Sequence, residues 1–141
     1  MSSLSFPDVN VWLALVTADH VHRQGALTWW DTAETSIGFS RFTQMGLLRL
    51  LTTAAVMDNR PLSMTQSWKV YDRLLQDERV SLYPESAAIE RRFREYASRM
   101  QSSPKIWADA YLLAFAEQAD GILVTFDQGI AKRSANILLL T

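Results

Sequence analysis

Hydrophobic positions along this chain switch between steps of two and steps of three or four, and each switch marks an element. Leu4 to Asp8 predicts a short opening strand, in which Pro7 is tolerated only at an end or edge. Val9, Trp12, Leu13 and Val16 then recur at helical spacing, predicting a helix over that stretch. Asp19 is placed to cap a second helix through Ala26 and the Trp29–Trp30 pair. Thr35 to Phe39 reads as a strand. Ser40 can cap the next helix, where Phe42, Met45, Leu48 and Leu51 recur at three-residue steps and Leu47 and Leu50 widen the stripe. The Asn59-Arg60-Pro61 turn closes that unit. Ser63 begins a helix through Trp68, Tyr71 and Leu75, and Val80 to Tyr83 forms a strand stopped by Pro84. Ser86 opens a charged amphipathic helix to about Met100. Beyond the Ser102-Ser103-Pro104 break, Ile106, Ala110, Leu113 and Ala114 mark another helix, ended by Asp120-Gly121. Ile122 to Thr125 is a buried-strand segment, Phe126 to Gly129 turns out of it, and Asn136 to Leu140 is a last strand.

Short strands alternating with helices predict an α/β domain with a largely parallel sheet. No internal repeat or linker-like stretch divides the chain, so one domain over 1–141 is expected. In such sheets ligands collect outside the carboxyl ends of the strands, so the polar residues at those ends are the ones to ask about.

Composition narrows the chemistry. The chain has 141 residues, 48% of them hydrophobic and 21% charged, enough apolar content for a packed core. Having no cysteine, it has no disulfide, thiolate metal site or cysteine nucleophile. No apolar run reaches the ~18–20 residues of a spanning helix, and the N-terminus lacks the pattern of a signal peptide. The cytoplasm is the simplest address. Fourteen Lys and Arg against fifteen Asp and Glu leave a net charge of −1, which disfavours a broad basic surface for nucleic acid. An enzyme that neutralises phosphate locally with a metal ion remains compatible with that balance.

Three acids stand where such an enzyme would need them. Asp8 ends the first strand, Asp127 follows the strand Ile122 to Thr125, and Asp109 lies early in the helix that feeds it, among Trp107, Ala108, Ala110 and Tyr111. A carboxylate among apolar neighbours is costly unless a cation or donors compensate it. If the two strands lie side by side, all three carboxylates meet, and a hard divalent cation held by oxygen alone, Mg²⁺ or Mn²⁺, is the natural compensator. Each acid alone is most often a turn or helix cap, and the three at matching positions bring a site and that plainer reading near to even.

The ordered set Phe6-Pro7-Asp8-Val9-Asn10-Val11-Trp12-Leu13, Trp107-Ala108-Asp109-Ala110-Tyr111-Leu112 and Leu123-Val124-Thr125-Phe126-Asp127 resembles the PIN-domain nucleases. Within them it is most similar to the VapC-type toxins of bacterial toxin–antitoxin pairs, over almost the whole chain. The resemblance implies a three-layer α/β/α domain and a metal-dependent endoribonuclease leaving 5′-phosphate and 3′-hydroxyl ends. It implies Asp8, Asp109 and Asp127 as ligands of Mg²⁺ or Mn²⁺, which activates a water for attack on an RNA phosphodiester. Thr125 matches a residue that orients carboxylates, and Asn10 the small polar residue two positions after the first acid. Where the family usually has a Glu early in the helix after its second strand, this chain has Gln44, which keeps a carbonyl acceptor but brings no charge. That departure leaves two expectations: a working nuclease tolerant of Gln44, and a catalytically weakened relative that binds RNA or protein. The resemblance also implies tRNA or rRNA as substrate, a homodimer, and an antitoxin partner.

Other features have blander accounts beside functional ones. His20 and His22 would not share a helix face and no third His exists, so capping and packing outweigh a metal pair, and a His general base requires the loop to fold over the pocket. Arg91, Arg92, Arg94 and Arg99 interleave with Glu90 and Glu95, which describes a solvated face laced with ion pairs more readily than an RNA contact. Lys132, Arg133, Arg41 and Arg49 are better placed to meet phosphate, although a helix-end charge or a salt bridge is the simpler account of each. Adjacent Trp29 and Trp30 cannot both face one core, and with Trp12 and Trp68 they fit a protein interface and an aromatic-rich core equally well. A phosphatase of the Asp-nucleophile type would need Asp where Asn10 stands, and a receiver domain would need a Lys after its last strand.

Overall fold

A computed structural model describes residues 3–141, so the first two residues of the expected 1–141 unit lie outside the described residues. The elements are β1 (Leu4–Pro7), α1 (Val9–Val16), α2 (Arg23–Thr32), β2 (Ser36–Phe39), α3 (Arg41–Leu51) and α4 (Met64–Leu75). They continue with β3 (Val80–Leu82), α5 (Ile89–Ser98), α6 (Ile106–Gln118), β4 (Ile122–Thr125), α7 (Gln128–Ala131) and β5 (Ile137–Leu139). The five strands form one sheet in the order β3-β2-β1-β4-β5, parallel throughout.

Strand alternation divides the core into two layers. Successive side chains leave a strand on opposite faces. Val124, with Ile37, Phe39 and Val80, packs toward Val11 and Trp12 of α1, Leu47 and Leu51 of α3 and Tyr71 of α4. Leu123, with Phe6, packs toward α5 and α6 through Ile89, Tyr96, Leu113 and Phe115. Both faces of the sheet are therefore covered, giving the expected α/β/α layers, and β4 reads as an unbroken apolar run for that reason. Phe6 occupies space that side chains on β2 would otherwise fill: a Cβ on Gly38 would stand 2.4 Å from its ring.

Local signals set most element starts. Ser40 and Ser63 each form a capping box, with Thr43 and Gln66 returning the hydrogen bond. Asp19 does not cap α2: two successive turns intervene, and the helix begins at Arg23 after His22, without a side-chain cap. Helix α3 ends at Leu51 rather than running to the Asn59 turn, and a series of turns follows in which Asp58 and Asn59 take φ of 53° and 60°. Helix α5 starts at Ile89, because Ser86 Oγ accepts from the Ala88 amide in a turn before it. The turn expected after β4 contains α7. Trp12 is stacked 3.8 Å from Phe39 in the core, whereas Trp68 and Trp107 are exposed. The Arg-rich face of α5 is laced with ion pairs, and Arg92 ties it to Glu117 of α6.

Candidate functional site

Because β1 and β4 are parallel neighbours, their carboxyl ends open on the same edge of the sheet, and Asp8 and Asp127 arrive there together. The backbone locks this arrangement, with the Asp8 amide donating to the Val124 carbonyl at 2.9 Å. Asp8 N-caps α1, its Oδ1 accepting from the Val11 amide at 3.1 Å. Its Oδ2 accepts from the hydroxyl of Thr125, a fully buried residue on β4. The same Thr125 oxygen accepts from the Asp127 amide at 3.0 Å, so one hydroxyl sets the spacing of both acidic segments. Asp127 in turn caps α7: Oδ1 accepts from the amides of Gly129 and Ile130 at 2.7 and 3.2 Å. Its Oδ2 meets the Lys105 ammonium at 3.2 Å. Asp109, half-buried in the first turn of α6, completes the group.

The electrostatics separate the three. Burial pushes the Asp8 carboxyl up, against the donors from Thr125 and Val11. Burial and then the charge of Asp127 push Asp109 up as well, opposed by Lys105 and Arg133. Burial also raises Asp127, but the Ile130 and Gly129 amides and Lys105 together outweigh it and hold the carboxyl below its ordinary value. Two acids thus carry negative charge that the protein only partly compensates. All donors are oxygens, a set suited to a hard divalent cation. Among the described residues, however, no three Asp, Glu, His or Cys side chains stand close enough to share an ion as they are.

The three carboxylates and Asn10 line one cavity of about 860 Å³. Thr125 lies beneath it and Gln44 lies outside it. Helix α3 turns Phe42, Met45, Gly46, Arg49 and Leu50 to the cavity, the spacing of one helix face. Gln44 falls with Thr43, Leu47 and Leu51 on the buried side. Its Oε1 accepts from Arg41 Nη1 at 2.7 Å, and its amide stands against the Tyr71 phenol. Gln44 is thus buried and held by Arg41 rather than lining this cavity. Gly46, on the cavity side of α3, packs so closely on α1 that a Cβ there would come within 2.7 Å of a Val9 methyl.

Three groups at the cavity were not read as site residues. Lys105 precedes Asp109 by four residues at the start of α6, a spacing that puts both on one side of a helix and was a usable signal. His20 and His22 also line the cavity, because the turns between α1 and α2 fold over it. His20 Nδ1 accepts from the His22 amide at 3.0 Å, and the His22 ring stacks on Phe126 at 4.3 Å. Burial, then His22, lowers the His20 pKa and favours its neutral form. Nothing local in the sequence gives the path of those turns. Of the cations expected near phosphate, Arg49 lines the cavity and Arg133 acts on Asp109, whereas Arg41 is engaged with Gln44.

A family model described as the PIN domain matches residues 5–136. Ribonuclease VapC41 of Mycobacterium tuberculosis is 41% identical over 126 residues, covering 85% of this chain and 86% of the relative. Ribonuclease VapC44 of the same organism is 34% identical over 132 residues, covering 88% and 86%. The fold also matches the crystal structure of M. tuberculosis VapC20, described as a sarcin–ricin loop cleaving toxin. That match has a TM-score of 0.64 and 16% identity, covering 91% of this chain and 93% of the other. Its low identity makes it a likeness of fold, and the fold agrees with the five-stranded parallel sheet whose two central strands deliver Asp8 and Asp127. The match across residues 5–136, together with relatives that span this chain nearly end to end, shows that it belongs to the PIN-domain family, in its VapC-type branch.

Proposed function

We propose that this chain, as one PIN unit, is a metal-dependent endoribonuclease and the toxin of a toxin–antitoxin pair. The observation that carries the reading is the convergence of Asp8, Asp109 and Asp127 on one cavity at the carboxyl ends of the central strands. The names of the VapC41 and VapC44 ribonucleases, on chains alike over most of this length, support the same chemistry. Asp8, Asp109 and Asp127 would hold Mg²⁺ or Mn²⁺. When bound, that ion supplies Lewis-acid activation of water and relief of charge at the phosphodiester.

The protein's own residues do the rest. Thr125 holds Asp8 through its hydroxyl and the Asp127 segment through the amide of that residue. The α7 amides keep Asp127 ionised and turned, with one oxygen left for a partner. Asn10 offers an amide at the cavity wall, and Arg49 a guanidinium for phosphate. A chain of net charge −1 then needs only this local neutralisation to receive RNA. The substrate class we favour is a structured tRNA or rRNA with an unpaired loop, since unstacked nucleotides are what such a cavity can admit. A homodimer, an antitoxin partner and a cytoplasmic setting complete the proposal. The competing reading, a weakened binding module, draws on the absence of a fourth acid at Gln44; the names of the VapC41 and VapC44 ribonucleases favour the nuclease over it.

The test uses antitoxin-free protein on a panel of tRNAs and rRNA fragments, in Mg²⁺ or Mn²⁺ against chelator, with Asp109→Asn purified in parallel. Site-specific cleavage that disappears with chelator and with Asp109→Asn is expected. Cleavage that persists in chelator, or none from folded and antitoxin-free protein, refutes the proposal.

A further inference from the structure

Lys105 holds a position that the helix beneath it does not favour. It stands at the N-cap of α6 and makes no side-chain cap there, at the end of a helix where partial positive charge repels a cation. What it meets instead is the acidic group. Its Nζ lies 3.2 Å from Asp127 Oδ2, the oxygen left over once Oδ1 has taken the two α7 amides. Its charge also acts on Asp109, one helical turn further along. The ammonium thus sits on the Asp127 oxygen that no backbone amide holds. Its side chain is 71% exposed, so the contact is weakly held and readily exchanged.

We infer that Lys105 is a built-in monovalent substitute for the divalent cation, neutralising Asp109 and Asp127 in the metal-free chain and leaving when the ion binds. This rests on the metal-dependent reading of the site. Its physical content is competition: one positive charge and one incoming ion claim the same oxygen, and like charges at that distance repel. Such a device lowers metal affinity while keeping clustered carboxylates tolerable without metal. It also leaves an ammonium at the cavity once the ion is in place, where a phosphate can meet it.

The experiment is calorimetric titration of Mn²⁺ into the full chain without RNA, comparing wild type with Lys105→Gln, Lys105→Arg and Lys69→Gln. Lys69→Gln removes the same charge from the exposed side of α4, outside the cavity. Lys105→Gln is expected to bind Mn²⁺ about five- to tenfold more tightly, the scale of a partly screened neighbouring charge. Lys105→Arg and Lys69→Gln should stay within about twofold of wild type on the same scale. Thermal melting adds a second readout. Lys105→Gln should melt lower than wild type in chelator and gain more from Mn²⁺. Equal or weaker Mn²⁺ binding by Lys105→Gln overturns the inference and leaves the metal reading intact. Absence of Mn²⁺ binding in all four proteins overturns the metal reading itself, and the inference with it.

Discussion

Replacing Thr125 with Val removes a single oxygen and keeps the shape of the side chain. That oxygen is fully buried, donates to the Asp8 carboxylate and accepts from the Asp127 amide. A hydrogen bond to a charged group contributes about 1.5–3 kcal/mol and a neutral one about 1 kcal/mol. Against this loss of about 3 kcal/mol, the added methyl returns about 1 kcal/mol by burial. The net cost near neutral pH is about 2 kcal/mol, or roughly 6 °C in Tm for a domain of this size. Thr125→Ser makes the opposite exchange, keeping the hydroxyl and losing a buried methyl, and should cost only about 1 kcal/mol. The pH dependence identifies the cause. Thr125 donation favours ionised Asp8, whose folded pKa lies above 3.8, so its contribution is present at high pH. It fades as pH falls through that raised folded value. Chemical denaturation of both variants in chelator, from neutral pH down toward pH 4, measures this directly. A Val variant as stable as the Ser variant at neutral pH, or a deficit that does not shrink on acidification, refutes the role assigned to the hydroxyl.

Asp109→Asn should abolish divalent-dependent cleavage without destabilising the metal-free fold. Burial and Asp127 raise the Asp109 pKa, so its ionisation costs stability that grows as pH rises above about 3.8. Thermal melts in chelator should show the Asn variant equal to or above wild type at neutral pH, and a clear drop there contradicts this. Gln44→Glu should change Mn²⁺ affinity by less than about twofold, because its carboxylate would meet Arg41 and Tyr71 rather than the cavity. Calorimetry showing marked tightening would return that position to the metal site. Gly46→Ala should lower stability by about 1–3 kcal/mol even though alanine is the better helix former, since its Cβ meets a stiff Val9 methyl at 2.7 Å. A Tm at or above wild type would show that α3 and α1 can part without loss.

What the sequence determined by itself was local. Caps and turn residues act over a few positions, so Ser40, Ser63 and Asp120 announced their helix boundaries, and the apolar run at 122–125 announced a buried strand. Asp8, Asp109 and Asp127 were legible because each has a recognisable place relative to its own strand or helix. Which strands are neighbours was a tertiary decision: only the order β3-β2-β1-β4-β5 sets Asp8 beside Asp127. The phase of α3 was another. Phe42 and Met45 face the cavity while Leu47 and Leu51 face the core, so its apolar stripe wraps two sides. Periodicity alone therefore could not say that Gly46 lines the cavity while Gln44 is turned to the buried side. Lys105 on Asp127 and the fold of His20 and His22 over the cavity belong to the same class. They join residues far apart in the chain, and what joins them is the packing of whole elements, which no local pattern encodes.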